Sequence, residues 1–411
     1  VALLDRLPRI TVQSAYDRAT RTLRLDLAQT RTGEGGCFIL PFAFAAVDAH
    51  GRELVSKTLR FATPDLTVTL SDIDPPAFLS LNRNAGFYGT CEDRSATPEQ
   101  LALQVRLDPD RVNRVEAMRR LTDRERRRLL DDPAAQPSDL WLATWRAILA
   151  DDTLPDGIRS YLLRIEEQPQ DRALLPHVRE GAVIRRRLQR AAAARLPEAA
   201  FTAILDRPDD TLPLPAAIER RALKNALLQL LSVSEAPFAH PLLLRHFHAA
   251  TAITARLNAL TALWRSGHPD RESILLTAGE TLRQTLGGKL GYLHVVGQNP
   301  REEVFEAVNR EAARPDFDWD HPGMVRALFV PLTLNNDQIW SARGLNWLEE
   351  TAVRLAPRNE YTTLRLLAPA LGHDRFAPDL REAVRATLTR IRARLESAAC
   401  PWVKSRLDTA L

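Results

Sequence analysis

The hydrophobic positions change period once along the chain. Ile10 and Val12 alternate with Thr11 and Gln13, and Leu23, Leu25 and Leu27 alternate with Arg24 and Asp26. A period of two is that of strands with one buried face. Asp17-Arg18-Ala19-Thr20 reads as the turn joining these runs, and Asp48-Ala49-His50-Gly51 as another. Cys37 to Val47 is mostly apolar, as in a strand buried on both sides. Leu54 to Phe61, Leu66 to Leu70 and Ala77 to Leu81 resume strand-like patterns, and Gly33-Glu34-Gly35-Gly36 reads as a hairpin tip. Six or seven short strands with no helix between them predict a β-sandwich over residues 1–92.

Beyond Thr97 the period becomes 3.6. Thr97-Pro98-Glu99-Gln100 has the signature of a capping box, with Pro at the first helical position. Leu380, Val384, Leu388, Ile391 and Leu395 mark one helix face. Leu223, Leu227, Leu230 and Leu231 mark another, and Val304, Phe305, Val308 and Ala312 a third. Breaks near Pro133, Pro155, Pro213, Pro237, Pro269, Pro300, Pro322 and Pro378 separate helices of about 10–20 residues. No tight sequence repeat accompanies them. The spacing predicts antiparallel helix pairs stacked as an armadillo- or HEAT-like solenoid over residues 97–411. The expected architecture is multi-domain β + α, with a boundary near residues 90–97.

Composition narrows the classes of function. The chain has 411 residues, 56 Lys+Arg and 52 Asp+Glu, a formal net charge of +4. That is too balanced for a large phosphate-tracking surface, so no nucleic-acid partner is expected. Cys37, Cys91 and Cys400 are far apart, which disfavours a disulfide framework and predicts a reducing, cytoplasmic setting. No stretch has the length of a membrane span, so no membrane partner is expected. The first residue is Val1 rather than Met, which raises the expectation of a piece cut from a longer protein.

The search for chemistry is mostly negative. No His precedes Glu in an HExxH pattern, no GxSxG occurs, and Gly287-Gly288-Lys289-Leu290 lacks the frame of a P-loop. His240, His246 and His248 are the tightest histidine group, but positions i and i+2 of a helix point about 200° apart. They read as surface or cap residues. Arg119, Arg120 and Arg124 to Arg128 form one arginine run; Arg185, Arg186, Arg187, Arg190 and Arg195 form another. Each lies on a helix whose other face is apolar, so solvated faces are expected, an anionic partner being the alternative.

Several segments resemble the C-terminal half of the bacterial aminopeptidase N family, zinc-dependent gluzincin peptidases. Tyr16 to Leu23 resembles the stretch opening that family's Ig-like domain, and Ser80-Leu81-Asn82-Arg83 the stretch ending it. Asp110 to Ala117 is similar to its D-x-x-N-R-W-E-A, Arg221 to Asn225 to R-A-L-R-N, and Thr254 to Leu257 to T-D-R-L. His321 to Leu328 stands for N-P-N-R-V-R-A-L, followed by a loop and helix over Asn336 to Leu348. The chain departs from the family at Gly323, Met324 and Trp340-Ser341, and the helical D-K-W-F block near 288–294 is barely recognisable.

The resemblance implies an Ig-like spacer, a helical domain that closes over a catalytic domain, and an internal cavity for the substrate peptide. The zinc and its ligands belong to that catalytic domain. This chain alone is therefore expected to have no catalytic residue, no metal ligand and no activity. The family's two cavity arginines map onto Arg326 and Arg365, implied substrate-binding residues on a concave side; helix-surface salt bridges are the alternative for each. The expected partners are the catalytic domain and a peptide. A stand-alone helical-repeat interaction scaffold is the competing function, and the reading frame upstream of Val1 discriminates the two.

Overall fold

The computed structural model describes residues 7–30, 37–165 and 169–411. The glycine-rich segment read as a hairpin tip, residues 33–36, lies outside them. Seven strands are described: β1 (Arg9–Asp17), β2 (Thr22–Thr30), β3 (Leu40–Val47), β4 (Glu53–Phe61), β5 (Asp65–Leu70), β6 (Phe78–Leu81) and β7 (Thr90–Asp93). They form a four-stranded sheet, β5-β2-β1-β7, and a three-stranded sheet, β4-β3-β6. Val12 lies opposite Leu27 in the antiparallel β1–β2 pair. The alternating residues Ile10, Val12, Leu23, Leu25 and Leu27 pack with Phe42, Phe44 and Phe61 of the other sheet. Burying each of these large side chains contributes roughly 1.5–3 kcal/mol. β7 pairs in parallel with β1, Ile10 opposite Cys91. With one apolar residue in four, it has no period for a sequence reading to find.

The long apolar run is explained by two different neighbours. In the first half of β3, Leu40, Phe42 and Phe44 face the sandwich core while Pro41 is exposed. In the second half, Ala45 and Val47 join Phe78 on the opposite side, against Leu103 and Leu107 of α1 (Pro98–Leu107). The capping box at Thr97 is formed: its N–H donates to Gln100 Oε1 (2.9 Å) and its Oγ1 accepts from Gln100 N (3.2 Å).

A buried polar joint ties α1 and α2 (Arg111–Asp131) to β6. Ser80 Oγ donates to Asp108 Oδ1 (2.9 Å), and Asn113 Nδ2 donates to Ser80 Oγ and Leu81 O (both 2.9 Å). Gln104 Nε2 reaches Asp108 Oδ2 (2.9 Å) and Leu79 O (3.1 Å). Asp110 caps α2 through Oδ1 and accepts Asn84 N–H on Oδ2 (2.7 Å). The segment entering this joint is bent by left-handed φ values at Asn82, Asn84 and Ala85; Asn82 closes the bend by exchanging hydrogen bonds with Phe87 (both 3.2 Å). Two segments that carry the family resemblance, Ser80–Arg83 and Asp110–Ala117, therefore meet here.

α3 (Asp139–Ala150) and α4 (Asp156–Leu163) complete the first of two compact units, Val1–Arg164; the second is Ile165–Leu411. The switch from strand to helix lies between β7 and α1, while the division between compact units falls later. Trp141 and Trp145 are fully buried, their indole N–H groups donating to Thr122 Oγ1 (3.0 Å) and Leu163 O (3.1 Å). The first arginine run departs from the expected solvated face. Arg126 is buried against Asp123 (2.7 Å), Arg120 donates to Asp93 O (2.6 Å), and Arg128 pairs with Glu125 (2.6 Å). Neighbouring elements cover part of the polar side of α2, so Arg126 is buried there while Arg127 and Arg128 stay exposed.

The regular elements described in the second unit are all helices. It contains α5 (Val178–Ala194), α6 (Glu198–Leu205), α7 (Leu214–Leu231), α8 (Ala239–Ala249), α9 (Ile253–Arg265), α10 (Arg271–Leu282) and α11 (Leu286–Val296). α12 (Val304–Ala312), α13 (Pro322–Thr333), α14 (Ala342–Leu355), α15 (Glu360–Leu367), α16 (Pro378–Arg394) and α17 (Pro401–Ala410) follow. α7, α9, α11, α13, α15 and α17 pack side by side in that order, and the intervening helices lie against them, as in armadillo-type stacks. The prolines named above lie at breaks or first turns. No helix among the described residues is long and apolar enough to cross a membrane.

The stack has a period that the sequence conceals. Ion pairs join Asp206 to Arg245 (2.8 Å), Glu272 to Arg310 (2.9 Å), Glu306 to Arg343, and Glu349 to Arg390 (2.7 Å). Their sequence separations are 39, 38, 37 and 41 residues. The inter-helix turns are laced in the same way. Arg265 Nη1 donates to Gln298 O (3.0 Å), Asn335 Nδ2 to Asn299 O (2.7 Å) and Gln338 Nε2 to Pro300 O (2.7 Å). α5 packs against α7, extending this order, and it is also a strap across later turns. Pro176 O, just before it, accepts from Ala377 N (3.2 Å). Arg179 reaches Trp340 O (2.7 Å) and Asp379 (3.1 Å), and Arg186 reaches Asp337.

Asn113→Ala removes both donors that serve Ser80 and Leu81. It is expected to destabilise the first unit by about 1–3 kcal/mol, because buried acceptors are left unpaired. Urea unfolding of the 411-residue chain with Asn113→Ala measures this; an unchanged midpoint would show that the joint contributes nothing.

Candidate functional site

Arg326 and Arg365 lie on neighbouring helices of one layer, α13 and α15. α13 begins at Pro322, and the His321 ring caps it by accepting Met324 N–H on Nδ1 (3.2 Å). Val325, Leu328, Phe329 and Leu332 form its buried face. α15 is capped by Asn359, whose Oδ1 accepts Thr362 N–H (2.9 Å), and buries Thr362, Thr363, Leu366 and Leu367. The turns leading into the two helices are joined by Arg358 and Asp320 (3.1 Å), one rung apart. This local chemistry leaves Arg326 and Arg365 exposed at nearly equivalent positions, the fifth and sixth residues of their helices.

The two contrast with the arginines that link neighbouring rungs. Arg245, Arg310, Arg343, Arg358 and Arg390 each hold a carboxylate on the preceding rung. Among the described residues, neither the Arg326 nor the Arg365 side chain makes a hydrogen bond or ion pair. The alternative of surface salt bridges is thus not realised there. Two unpaired guanidinium groups on adjacent rungs present fixed positive charge, with forked donors suited to carboxylate and peptide carbonyl groups.

The second arginine run differs from the expected solvated face. Arg185 is buried, with Nη2 3.8 Å from Asp337 Oδ2, and Arg186 Nη1 donates to Asp337 Oδ1. The Asp337 side chain is 1% exposed. Period identifies the apolar face of α5, but it is blind to the turn after α13 that covers part of the other face. Asp337 was missed for the same reason: a lone Asp in a loop has no pattern.

The histidines stay apart as chelators. His240 packs against His268 with the rings tilted by 58° and their centroids 5.1 Å apart, and His321 is a helix cap. His373, outside that group, is buried, with Nε2 3.0 Å from Ala410 O. No group of three His, Cys, Asp or Glu side chains among the described residues could hold a metal ion. These residues therefore do not fit the zinc site that the family resemblance implies for the whole enzyme.

Burial, then the nearby Lys224 charge, hold His246 below the usual histidine range. Burial, then the His268 ring, do so for His240. In the unfolded chain both return to about 6.5. The unfolded state then binds protons that the folded state refuses, so stability is complete above about pH 6.5 and falls below it. His246→Gln is expected to flatten that fall, read from urea midpoints between about pH 7.5 and 5.5; an identical pH slope refutes the assignment. Arg185→Gln with Arg186→Gln strands a buried carboxylate and is expected to cost about 3–5 kcal/mol. Arg326→Gln should change stability by less than about 0.5 kcal/mol.

Comparisons with known proteins agree with this architecture. Residues 7–94 match the family described as a domain of unknown function (DUF3458) with an Ig-like fold. Residues 98–399 match the family described as a domain of unknown function (DUF3458_C) with ARM repeats. The chain is 27% identical over 413 aligned residues to aminopeptidase N of Caulobacter vibrioides, covering 93% of this chain and 46% of that protein. It is 25% identical over 178 residues to aminopeptidase N of Escherichia coli K12, covering 43% of this chain and 20% of that protein. Among solved structures, Legionella pneumophila aminopeptidase A in complex with aspartic acid superposes with a TM-score of 0.83 at 18% identity. That match covers 98% of this chain and 48% of the other. The chain thus spans less than half the length of these relatives. With residues 7–94 and 98–399 matched by its Ig-like and ARM-repeat models, it belongs to the DUF3458 family, homologous to the C-terminal region of aminopeptidase N.

Proposed function

We propose that this chain is the non-catalytic C-terminal part of a zinc aminopeptidase, capping the active site and shaping the cavity that holds the substrate peptide. One observation carries the reading: the likeness to the Caulobacter enzyme runs through 93% of this chain but only 46% of that protein. The missing chemistry is then assigned to the rest of such an enzyme, where zinc would polarise the scissile carbonyl and activate water. The part played here is binding. Arg326 and Arg365 would hold the distal carbonyls or terminal carboxylate of a peptide whose other end lies at the metal. Their exposure and lack of partners among the described residues support this, since a guanidinium already locked in a buried pair has fewer donors to offer.

The role divides cleanly by substrate length. A small chromogenic amide does not extend to the distal arginines, whereas a peptide of several residues does. In the enzyme that contains this region, Arg326→Ala or Arg365→Ala is expected to raise the KM for peptides roughly tenfold or more, a charge-assisted hydrogen bond contributing about 1.5–3 kcal/mol. The kcat should hold, and small amides should be unaffected, the pattern of lost uniform binding. Equal effects on both substrate sizes would refute the assignment. The 411-residue chain alone is expected to bind no stoichiometric zinc and to hydrolyse no aminoacyl substrate. One tightly held zinc per chain in metal analysis would overturn that.

A further inference from the structure

We infer that the cavity where the sandwich ends and α1 begins is a binding site for a small organic cation, a primary ammonium seated on Asp93. The cavity has a volume of about 240 Å³, and all the residues lining it belong to the first unit. Its wall continues the strand alternation past the apolar core. Ile10 and Val12 of β1 point inward, and two and four residues on from Val12 the same face carries Ser14 and Tyr16. β7 runs parallel to β1 with Asp93 opposite Val12, so the Asp93 carboxylate also projects to the core side. Asp93 is 5% exposed, at a position where the alternation calls for an apolar side chain. Phe78 of β6 and Gln104 of α1 line the same cavity.

The hydrogen bonds leave this wall rich in acceptors. Asp93 Oδ1 accepts from Ser95 N (2.9 Å) and from the Ser95 hydroxyl (2.5 Å). Ser95 Oγ, its own proton so used, accepts from Ser14 N (2.9 Å) and therefore from the Ser14 hydroxyl (2.7 Å). The Tyr16 hydroxyl donates to Ile73 O (2.7 Å). With these protons committed, Ser14 Oγ and Tyr16 Oη have only lone pairs to offer. Gln104 is oriented by the two acceptors on its Nε2, Leu79 O (3.1 Å) and Asp108 Oδ2 (2.9 Å), which makes Oε1 the free end of the amide. Neither that oxygen nor Asp93 Oδ2 has a hydrogen-bond partner among the described residues. Buried acceptors without donors are costly, so a ligand that brings N–H groups is favoured. Asp93 is the one charged side chain in the wall among the described residues. Arg120 is bound to its main-chain oxygen (2.6 Å), not to its carboxylate, and neither Arg120 nor Arg124 lines the cavity. An ammonium brings three donors and the opposite charge, and the Tyr16 and Phe78 rings suit a short apolar chain behind it. A volume below the roughly 300–1,000 Å³ of sites for drug-sized ligands restricts the occupant to a compact molecule.

The test is calorimetric titration of the 411-residue chain with n-butylammonium, with n-butanol and butyrate as neutral and anionic probes of the same length. The ammonium is expected to bind with a Kd of roughly 1 mM or tighter, within the range open to a ligand of this size, and the other two roughly tenfold more weakly or less. Asp93→Asn keeps an acceptor for Ser95 but removes the charge, and should weaken ammonium binding roughly tenfold or more. Asp72→Asn, which removes an exposed carboxylate paired with Arg21, should not. Ala96 also lines the cavity; Ala96→Phe fills it with Asp93 intact and should abolish binding, which reads the site even where Asp93→Asn fails to fold. Thermal unfolding supplies an independent readout: butylammonium should raise the Tm of the parent chain but not of Ala96→Phe. No ammonium binding, equal binding of the alcohol, or undiminished binding by Asp93→Asn or Ala96→Phe would overturn the proposal.

Discussion

A stacked helix pair cannot satisfy the ends of its own helices. The last carbonyls of each helix and the carbonyls of each turn face the neighbouring turn, where water is scarce, and they need donors from it. In the second unit those donors are Arg265, Asn335 and Gln338, each reaching a backbone carbonyl of an adjacent rung. Apolar burial brings the rungs together, but these directed bonds set their register. Everything placed on the rungs inherits that register: the ion pairs between successive helices, the seat of the α5 strap at Asp337, and the equivalence of positions 326 and 365.

The abundance of arginine takes its meaning from the same register. A near-neutral chain can set many of its arginines opposite carboxylates, and in the helical stack several of these pairs run between rungs. Exposed pairs of this kind contribute little individually, typically below about 1 kcal/mol, but they discriminate the correct rung spacing from a slipped one. Against that background, unpaired arginines are informative. Arg326 and Arg365 stand on neighbouring helices of one layer, and their side chains have no hydrogen-bond or ion-pair partner among the described residues.

The motifs that carry the family resemblance divide by role. Ser80–Arg83 and Asp110–Ala117 supply the joint between sandwich and helices, through Ser80, Asn82, Asp110 and Asn113. Their chemistry is structural: short polar side chains that satisfy a bent backbone in a buried place where apolar residues would leave acceptors unpaired. The block from His321 to Leu328 works differently. It caps and starts a helix, then presents Arg326 outward.

How much was legible beforehand follows the range of the interactions involved. The β-sandwich, the capping box at Thr97, the proline-marked helix starts and the buried faces of α7 and α16 were readable because periodicity and capping act within a few residues. Arg326 and Arg365 were reached by resemblance, supported by a spacing of one rung; period alone singles out neither. Three features were decided only in the tertiary structure: the parallel β7, the covered arginines of α2 and α5, and the burial of Asp337. In each, a residue's environment is set by a segment tens to more than a hundred positions away. A local pattern states which face of an element is apolar; what covers the opposite face depends on how distant elements pack, and that packing decides whether an arginine is a solvated charge, a buried pair or an open site.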